Sequence, residues 1–294
     1  MANPLVTIII PTYKDWNRLG LCIAALEKQT YPAGLIQVII VNNAPADQPP
    51  AGYYLPANIS IIDEGQPGSY AARNAGLKLA KGDILGFTDS DCIPVENWIE
   101  SAVNLFTANP DVDRIAGNVI LFFEGDKPQP SELYESIYAF QQEANAKNGV
   151  SVTANMFTRK HVFDSAGVFD DAKLSGGDIE WSARAKAKGF LIRYSAETAV
   201  KHPARKGLHL MAKKSRRVAS GKGKMNNNGY LKESVRLLFK LRPKLKEWKV
   251  IKAKGKHLSL GDKVVVYWVK WYLDSVRVVE RFRLLNGGKP YNDI

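Results

Sequence analysis

Apolar positions fall into short runs in the first half of the chain, each run ending at a polar cluster. Val6-Thr7-Ile8-Ile9-Ile10 predicts a buried strand that stops at Pro11. Asp15 predicts a helix cap, followed by Leu19, Cys22, Ile23 and Leu26 on one helical face. Further strands are predicted over 36–41, 59–62 and 83–88, and a helix from Ser69 to Lys81. Pro94 suits the first turn of another helix. Strands alternating with helices predict a mainly parallel α/β sheet, whose ligands bind beyond the carboxyl ends of the strands. Three polar clusters stand at such ends: Pro11-Thr12-Tyr13, Asn42-Asn43 and Asp89-Ser90-Asp91.

From residue 114 the pattern is mixed. Strands are expected over 114–123, 151–158 and 190–194, a helix over 132–145, and a helix after Gly176-Gly177-Asp178. Beyond His202-Pro203 the chain turns helical and basic, with helices expected from Gly207 and over 264–282. The Gly/Lys/Asn-rich stretch 220–229 reads as a loop. No internal repeat is evident.

The chain has 294 residues and a net charge of +12, which alone would suggest nucleic acid. Residues 1–200 hold 16 basic and 23 acidic side chains, whereas residues 201–294 hold 25 and 6. A mildly acidic body therefore carries a strongly basic last third. The hydrophobic fraction of 45% excludes a disordered or collagen-like chain, and two cysteines cannot make a disulfide scaffold. Cys22 and Cys92 lack metal or redox spacing, so a reducing, cytoplasmic compartment is expected. Leu5–Ile10 is too short for a secretion signal, and no run of about 18 apolar residues predicts a membrane span.

Three groups could carry chemistry. Alternating carboxylates in Asp89-Ser90-Asp91 can converge on a hard cation, Mg²⁺ or Mn²⁺, or merely be solvated acids in a turn. Asp178, with Glu180 two residues on, could take a proton from a hydroxyl, or simply cap a helix after a glycine turn. Arg73 stands in a small-residue helix and suits a phosphate or planar base, or a structural ion pair.

Together these segments resemble family-2 glycosyltransferases of the GT-A fold across about residues 5–205. The carriers are Ile8-Ile9-Ile10-Pro11-Thr12-Tyr13, Val41-Asn42-Asn43-Ala44, Ala72-Arg73-Asn74-Ala75-Gly76, Phe87-Thr88-Asp89-Ser90-Asp91, and Gly177-Asp178-Ile179-Glu180-Trp181 with Arg184 and Gly189-Phe190. The resemblance implies a Rossmann-like sheet flanked by helices, with a basic helical extension. It divides the chain into a catalytic domain, 1–205, with a nucleotide-sugar half (1–92) and an acceptor half (93–205), and an extension, 206–294. It implies metal-dependent, inverting transfer of a sugar from a nucleotide-diphosphate sugar to a hydroxyl. Pro11, Thr12, Tyr13, Asn42 and Asn43 would hold the nucleoside, and Arg73 the base or diphosphate. Asp89 and Ser90 would lie at the ribose or metal, Asp91 would be the main metal ligand, and Asp178 the general base. Glu180 would be the fallback base or position the acceptor. In some GT-A enzymes a His near the domain end completes the metal shell, and His202 stands there.

Two departures from the family pattern matter. Asn42-Asn43 replaces a frequent acidic pair, which leaves the donor base open while a UDP-sugar remains favoured. Gly177 replaces a frequent Glu, so Asp178 has fewer rivals for the proton. A nucleotidyltransferase would need a Gly-rich basic loop where Pro11-Thr12-Tyr13-Lys14-Asp15 stands, and a non-catalytic binder would not need acids at 89, 91 and 178.

The basic last third, with Lys213, Lys214, Arg216 and Arg217 and a second stretch from Lys240 to Lys256, has three readings. It could dock peripherally on the anionic inner face of the plasma membrane, aided by an amphipathic helix bearing Trp268, Trp271 and Tyr272. It could equally pack on the body with solvated basic faces. Nucleic acid is not expected, because no recognised module accompanies the charge. Docking would fit a saccharide or lipid-linked acceptor in polysaccharide or glycolipid synthesis.

Overall fold

A computed structural model describes residues 3–221, 230–289 and 291. The strands are β1 (Val6–Thr12), β2 (Ile36–Asn42), β3 (Ile59–Asp63), β4 (Ile84–Thr88), β5 (Ile93–Pro94), β6 (Val112–Phe122), β7 (Asn155–Arg159) and β8 (Leu191–Pro203). The α-helices are α1 (Trp16–Glu27), α2 (Ser69–Leu79), α3 (Trp98–Ala108), α4 (Pro130–Tyr138), α5 (Gln142–Lys147), α6 (Lys160–Ala166), α7 (Gly177–Ala187), α8 (Leu208–Ser220), α9 (Tyr230–Lys240), α10 (Leu245–Lys254) and α11 (Leu260–Leu285).

One sheet runs β3-β2-β1-β4-β7-β6-β8-β5. Its first four strands are parallel, with Ile8 opposite Val38 on one side and Gly86 on the other. The β4–β7, β6–β7 and β5–β8 pairs are antiparallel. Alternation along β1 sorts the core onto both faces of the sheet. Val6, Ile8 and Ile10 pack with Leu19 and Cys22 of α1 and Trp98 of α3. Ile9 packs with Tyr70 of α2, Phe163 of α6 and Trp181 of α7. A parallel sheet covered on both faces needs such continuous apolar strands, so the sequence expectation of an α/β fold holds.

The chain divides into two compact units: residues 1–120 with 140–202, and residues 121–139 with 203–294. The second unit is helical. Leu133 and Ile137 of α4 pack with Ile251 of α10 and Val266 of α11. Tyr134 packs with Met211 of α8 and with Val269 and Leu273 of α11. Residues 121–139, read from sequence as part of the acceptor half, thus share a core with the C-terminal helices.

Some local expectations shift. β1 continues through Pro11 to Thr12, because a strand needs only acceptors at this end: the Thr12 carbonyl accepts the Asn43 N–H at 2.8 Å. Pro94 lies not in a helix but in the short β5, opposite Val200, where a missing N–H is tolerated. The single helix expected over 132–145 is two, α4 and α5. They are separated at Phe140, whose φ of 45° no helix accommodates, and whose ring lies 4.6 Å from that of His202. Leu191–Pro203 is one long strand rather than a short return. Most of the loop expected over 220–229, with Lys222 and Lys224, lies outside the described residues.

Candidate active site

At the carboxyl ends of the parallel strands Thr12 lies opposite Asn42, and β4 ends at Thr88, one residue past the Ile9–Phe87 pair. Thr12 is buried, and its Oγ1 has no hydrogen-bond partner. A buried hydroxyl without a partner is costly, which makes it a natural place for a ligand atom. Tyr13 is 42% exposed, with the Lys14 ammonium 5.4 Å from its ring centre.

Asn42 and Asn43 are buried and engaged by their own loop and by the segment from Asp63 to Gly68. Asn42 Nδ2 donates to the Asp47 carbonyl and to Asp63 Oδ1, and its Oδ1 accepts from Ala44 N. Asn43 Nδ2 donates to the Glu64 and Gln66 carbonyls at 2.8 Å, and its Oδ1 accepts from Gly68 N at 2.7 Å. Both N–H groups of each amide are occupied, so these residues shape the loop leading to α2 rather than offering a donor to a base.

That loop delivers α2. Arg73, 2% exposed, donates to Asp89 Oδ1 at 2.5 Å and to the Ser69 carbonyl. Its Nε is buried without a partner. After β4 the chain makes a turn closed by Cys92 N on the Asp89 carbonyl, with Ser90 and Asp91 inside it. The turn separates the two carboxylates: Asp89 goes to Arg73, whereas Asp91 Oδ1 lies 3.5 Å from Nε2 of the buried His202.

Asp91, Cys92 and His202 bring ligand atoms within 4.8 Å of one another. Burial, with Asp89 and Asp91 nearby, pushes the Cys92 thiol well above its ordinary range. It therefore stays a thiol, and its sulfur donates toward the Ala154 carbonyl. A carboxylate oxygen and an imidazole nitrogen remain, a donor set that suits Mn²⁺ and accepts Mg²⁺.

Asp178 enters from the first turn of α7. Its Oδ1 accepts from Tyr70 Oη at 3.0 Å and from Ile179 N at 2.9 Å, and its Oδ2 from Thr153 N at 3.4 Å. Burial raises its pKa above the usual carboxylate range, against the hydrogen bonds and the charge of Arg73, which favour ionisation. Gly177 lets the Tyr70 ring lie against this turn, since a Cβ there would come 2.8 Å from the ring. Glu180 takes a different part. Both its oxygens face Arg184, at 2.7 and 3.1 Å, and that guanidinium also donates to the Ala166 and Val168 carbonyls.

Sequence reasoning missed the residues that hold the Asp178 partners in place. Arg114 is fully buried and donates to the carbonyls of Gly149, Ser182 and Phe190. Burial lowers it to about 10. Gln142 donates to the Asn155 carbonyl and accepts from Val152 N, while Ser182 Oγ accepts from Ser151 N. These bonds fix the segment carrying Thr153. The one signal available was an Arg at the head of the apolar run from Ile115; nothing marked Gln142.

Carboxylates and a buried Arg at the carboxyl edge of a helix-covered, half-parallel sheet are the arrangement of a GT-A glycosyltransferase. The sequence pattern of glycosyl transferase family 2 matches residues 7–165. Glycosyltransferase AglE of Haloferax volcanii is 34% identical over 244 residues, which span 81% of this chain and 79% of that one. The chain belongs to glycosyl transferase family 2 and is a glycosyltransferase. The pre-mycofactocin glycosyltransferase of Mycobacterium tuberculosis is 27% identical over 209 residues, 68% of this chain and 43% of its own. Among solved structures, the mannosyltransferase PcManGT from Pyrobaculum calidifontis, in complex with GDP-Man and Mn²⁺, superposes with a TM-score of 0.59. It shares 14% identity over 96% of this chain and 87% of its own, a likeness of fold.

Proposed function

We propose that this enzyme transfers a sugar, with inversion, from a nucleotide-diphosphate sugar to a hydroxyl of a saccharide or lipid-linked acceptor. What supports this reading is the combination of an Asp178 carboxylate hydrogen-bonded by neutral groups alone and the Asp91–His202 pair. Asp91 and His202 would hold Mn²⁺ or Mg²⁺. The cation would supply positive charge where the departing diphosphate gains negative charge. Thr12 and Arg73 bind and orient the nucleotide, with Asp89 fixing the Arg73 guanidinium. Asp178 takes the acceptor proton as the acceptor oxygen attacks the far face of the anomeric carbon, and Tyr70 and Thr153 N–H steady the carboxylate before it does so. Glu180, tied to Arg184, shapes the start of α7 and leaves the base role to Asp178.

A UDP-sugar remains our donor, and the GDP-Man of the solved mannosyltransferase puts a guanosine donor on the same panel. No helix among the described residues is long and apolar enough to cross a membrane. Trp268, Trp271 and Tyr272 are exposed on α11 amid basic side chains, which supports peripheral attachment to an anionic inner membrane face.

The test is a donor panel with Mn²⁺, followed by the anomeric configuration of the product by NMR. Inversion is expected, and retention would sink the mechanism. Asp91→Ala should abolish metal-dependent donor binding in calorimetry; full binding in that variant removes the metal assignment.

A further inference from the structure

Among the described residues, Lys14 and Phe140 alone combine a side chain with a positive φ. Phe140 is the bulkier, and its φ of 45° crowds Cβ against the backbone. A glycine would take this conformation at less cost, so the reason for Phe at this position lies in its ring. Strain of this kind persists where the surroundings over-determine it, and it gathers at functional sites.

The surroundings of Phe140 do fix it, through bonds that lie within the first unit. Its carbonyl accepts from Gln142 N at 2.8 Å. The buried Gln142 amide donates to the Asn155 carbonyl at 2.8 Å, and its oxygen accepts from Val152 N at 3.1 Å. Asn155 Nδ2 donates in turn to the Thr198 carbonyl of β8 at 2.9 Å. The same strand carries His202 four residues further on. The Phe140 ring thereby comes to 4.6 Å from the imidazole of His202, centre to centre, with the two planes at 48°. That is the close end of aromatic contacts. His202 is buried, and its Nε2 faces Asp91 Oδ1 at 3.5 Å.

We propose, on the reading of Asp91 and His202 as ligands to Mn²⁺ or Mg²⁺, that Phe140 is a positioning residue whose ring holds the His202 imidazole with Nε2 turned toward Asp91. An imidazole offers a cation one nitrogen in one direction, so rotation about its Cβ–Cγ bond withdraws the ligand. A phenyl ring this close, and tilted, stands in the way of that rotation. An aliphatic side chain at 140 would fill part of the space and leave the imidazole room to turn. Groups that orient a ligand from behind set metal affinity along with the ligands themselves.

The full-length chain is titrated with Mn²⁺ alone, and free Mn²⁺ is read from its electron paramagnetic resonance signal. Electron spin-echo envelope modulation of the bound ion reports whether an imidazole nitrogen is coordinated. Phe140→Leu removes the ring but keeps an apolar side chain. Phe140→Gly removes the ring and relieves the backbone, Phe140→Tyr keeps the ring, and His202→Ala removes the ligand. Urea unfolding midpoints check that each variant is folded, and either ring-less variant decides if the other is not. The Leu and Gly variants should each weaken Mn²⁺ binding by about tenfold, with weaker nitrogen modulation, and the Tyr variant should stay within about twofold of wild type. Wild-type affinity and modulation in the ring-less variants, with both lowered in His202→Ala, overturn the role of Phe140 and leave the ligand reading standing. A loss in Phe140→Tyr equal to that in Phe140→Leu overturns it as well. Unchanged affinity in His202→Ala overturns the ligand reading, and the role of Phe140 with it.

Discussion

Asp178 in the first unit and Glu135 in the second are both carboxylates withdrawn from water, and the two units treat them in opposite ways. Asp178 meets a phenol and two backbone N–H groups, and burial prevails, so it binds its proton more tightly than an ordinary Asp. Glu135 is 1% exposed, and burial works against its ionisation too. Lys214 at 3.3 Å and Arg205 at 2.9 Å outweigh that, with Arg205 N adding a bond at 2.8 Å, and hold Glu135 below the usual range. A carboxylate saturated by cations is a structural tie. One whose hydrogen bonds come only from neutral donors can still accept a proton from a substrate. The difference lies in the partners, not in the amount of burial.

The sharpest way to break this contrast is to remove the proposed proton acceptor. Asp178→Asn should lower kcat by about 10²–10⁴-fold while leaving the donor dissociation constant unchanged in calorimetry. Lost donor binding would mean that Asp178 holds the nucleotide sugar instead.

Glu135→Gln should do the reverse, sparing donor binding and lowering stability by about 3–5 kcal/mol in denaturant unfolding, because Lys214 and Arg205 lose their counter-charge. Its pH signature has a definite sign. A carboxyl held below its unfolded value contributes stability above that unfolded value and loses it as pH falls through the depressed one. The wild type should therefore lose stability on acidification more steeply than the variant. Arg114→Met should cost about 2–3 kcal/mol by leaving carbonyls of Gly149, Ser182 and Phe190 without a donor. It should also lower kcat, since the same bonds hold the segment bearing Thr153.

The smallest effect is expected from Tyr70→Phe. The Tyr70 hydroxyl favours the ionised form of Asp178, so its loss should raise that carboxyl further. The acidic limb of the kcat/KM profile should therefore lie at higher pH in the variant than in the wild type. An unmoved limb would separate Asp178 from the pH dependence.

The apolar runs of β1, β2 and β4 were legible because a strand buried on both faces leaves no room for polar residues. The turns that follow them were legible because ligand chemistry at a sheet edge needs short polar side chains there. Asp178 was readable from two glycines before an acid. What could not be read were pairings between distant segments. Asp89 and Asp91 look equivalent in sequence, and the fold gives one to Arg73 and the other to His202. Asn42 and Asn43 read as ligand-facing until Asp63, Glu64 and Gln66 claim their amides. The break at Phe140 was hidden because α4 and α5 share a helical pattern and differ only in which unit covers them.

The sequence by itself determined the alternation of the first four strands of the sheet with their helices, the acids available for chemistry, and the segregation of +12 into an acidic body and a basic last third. These follow from local periodicity and composition, which are written residue by residue. Tertiary structure decided which acid stays available to a substrate and which is neutralised. That depends on the charges that packing brings within a few ångströms, and on how much water packing removes.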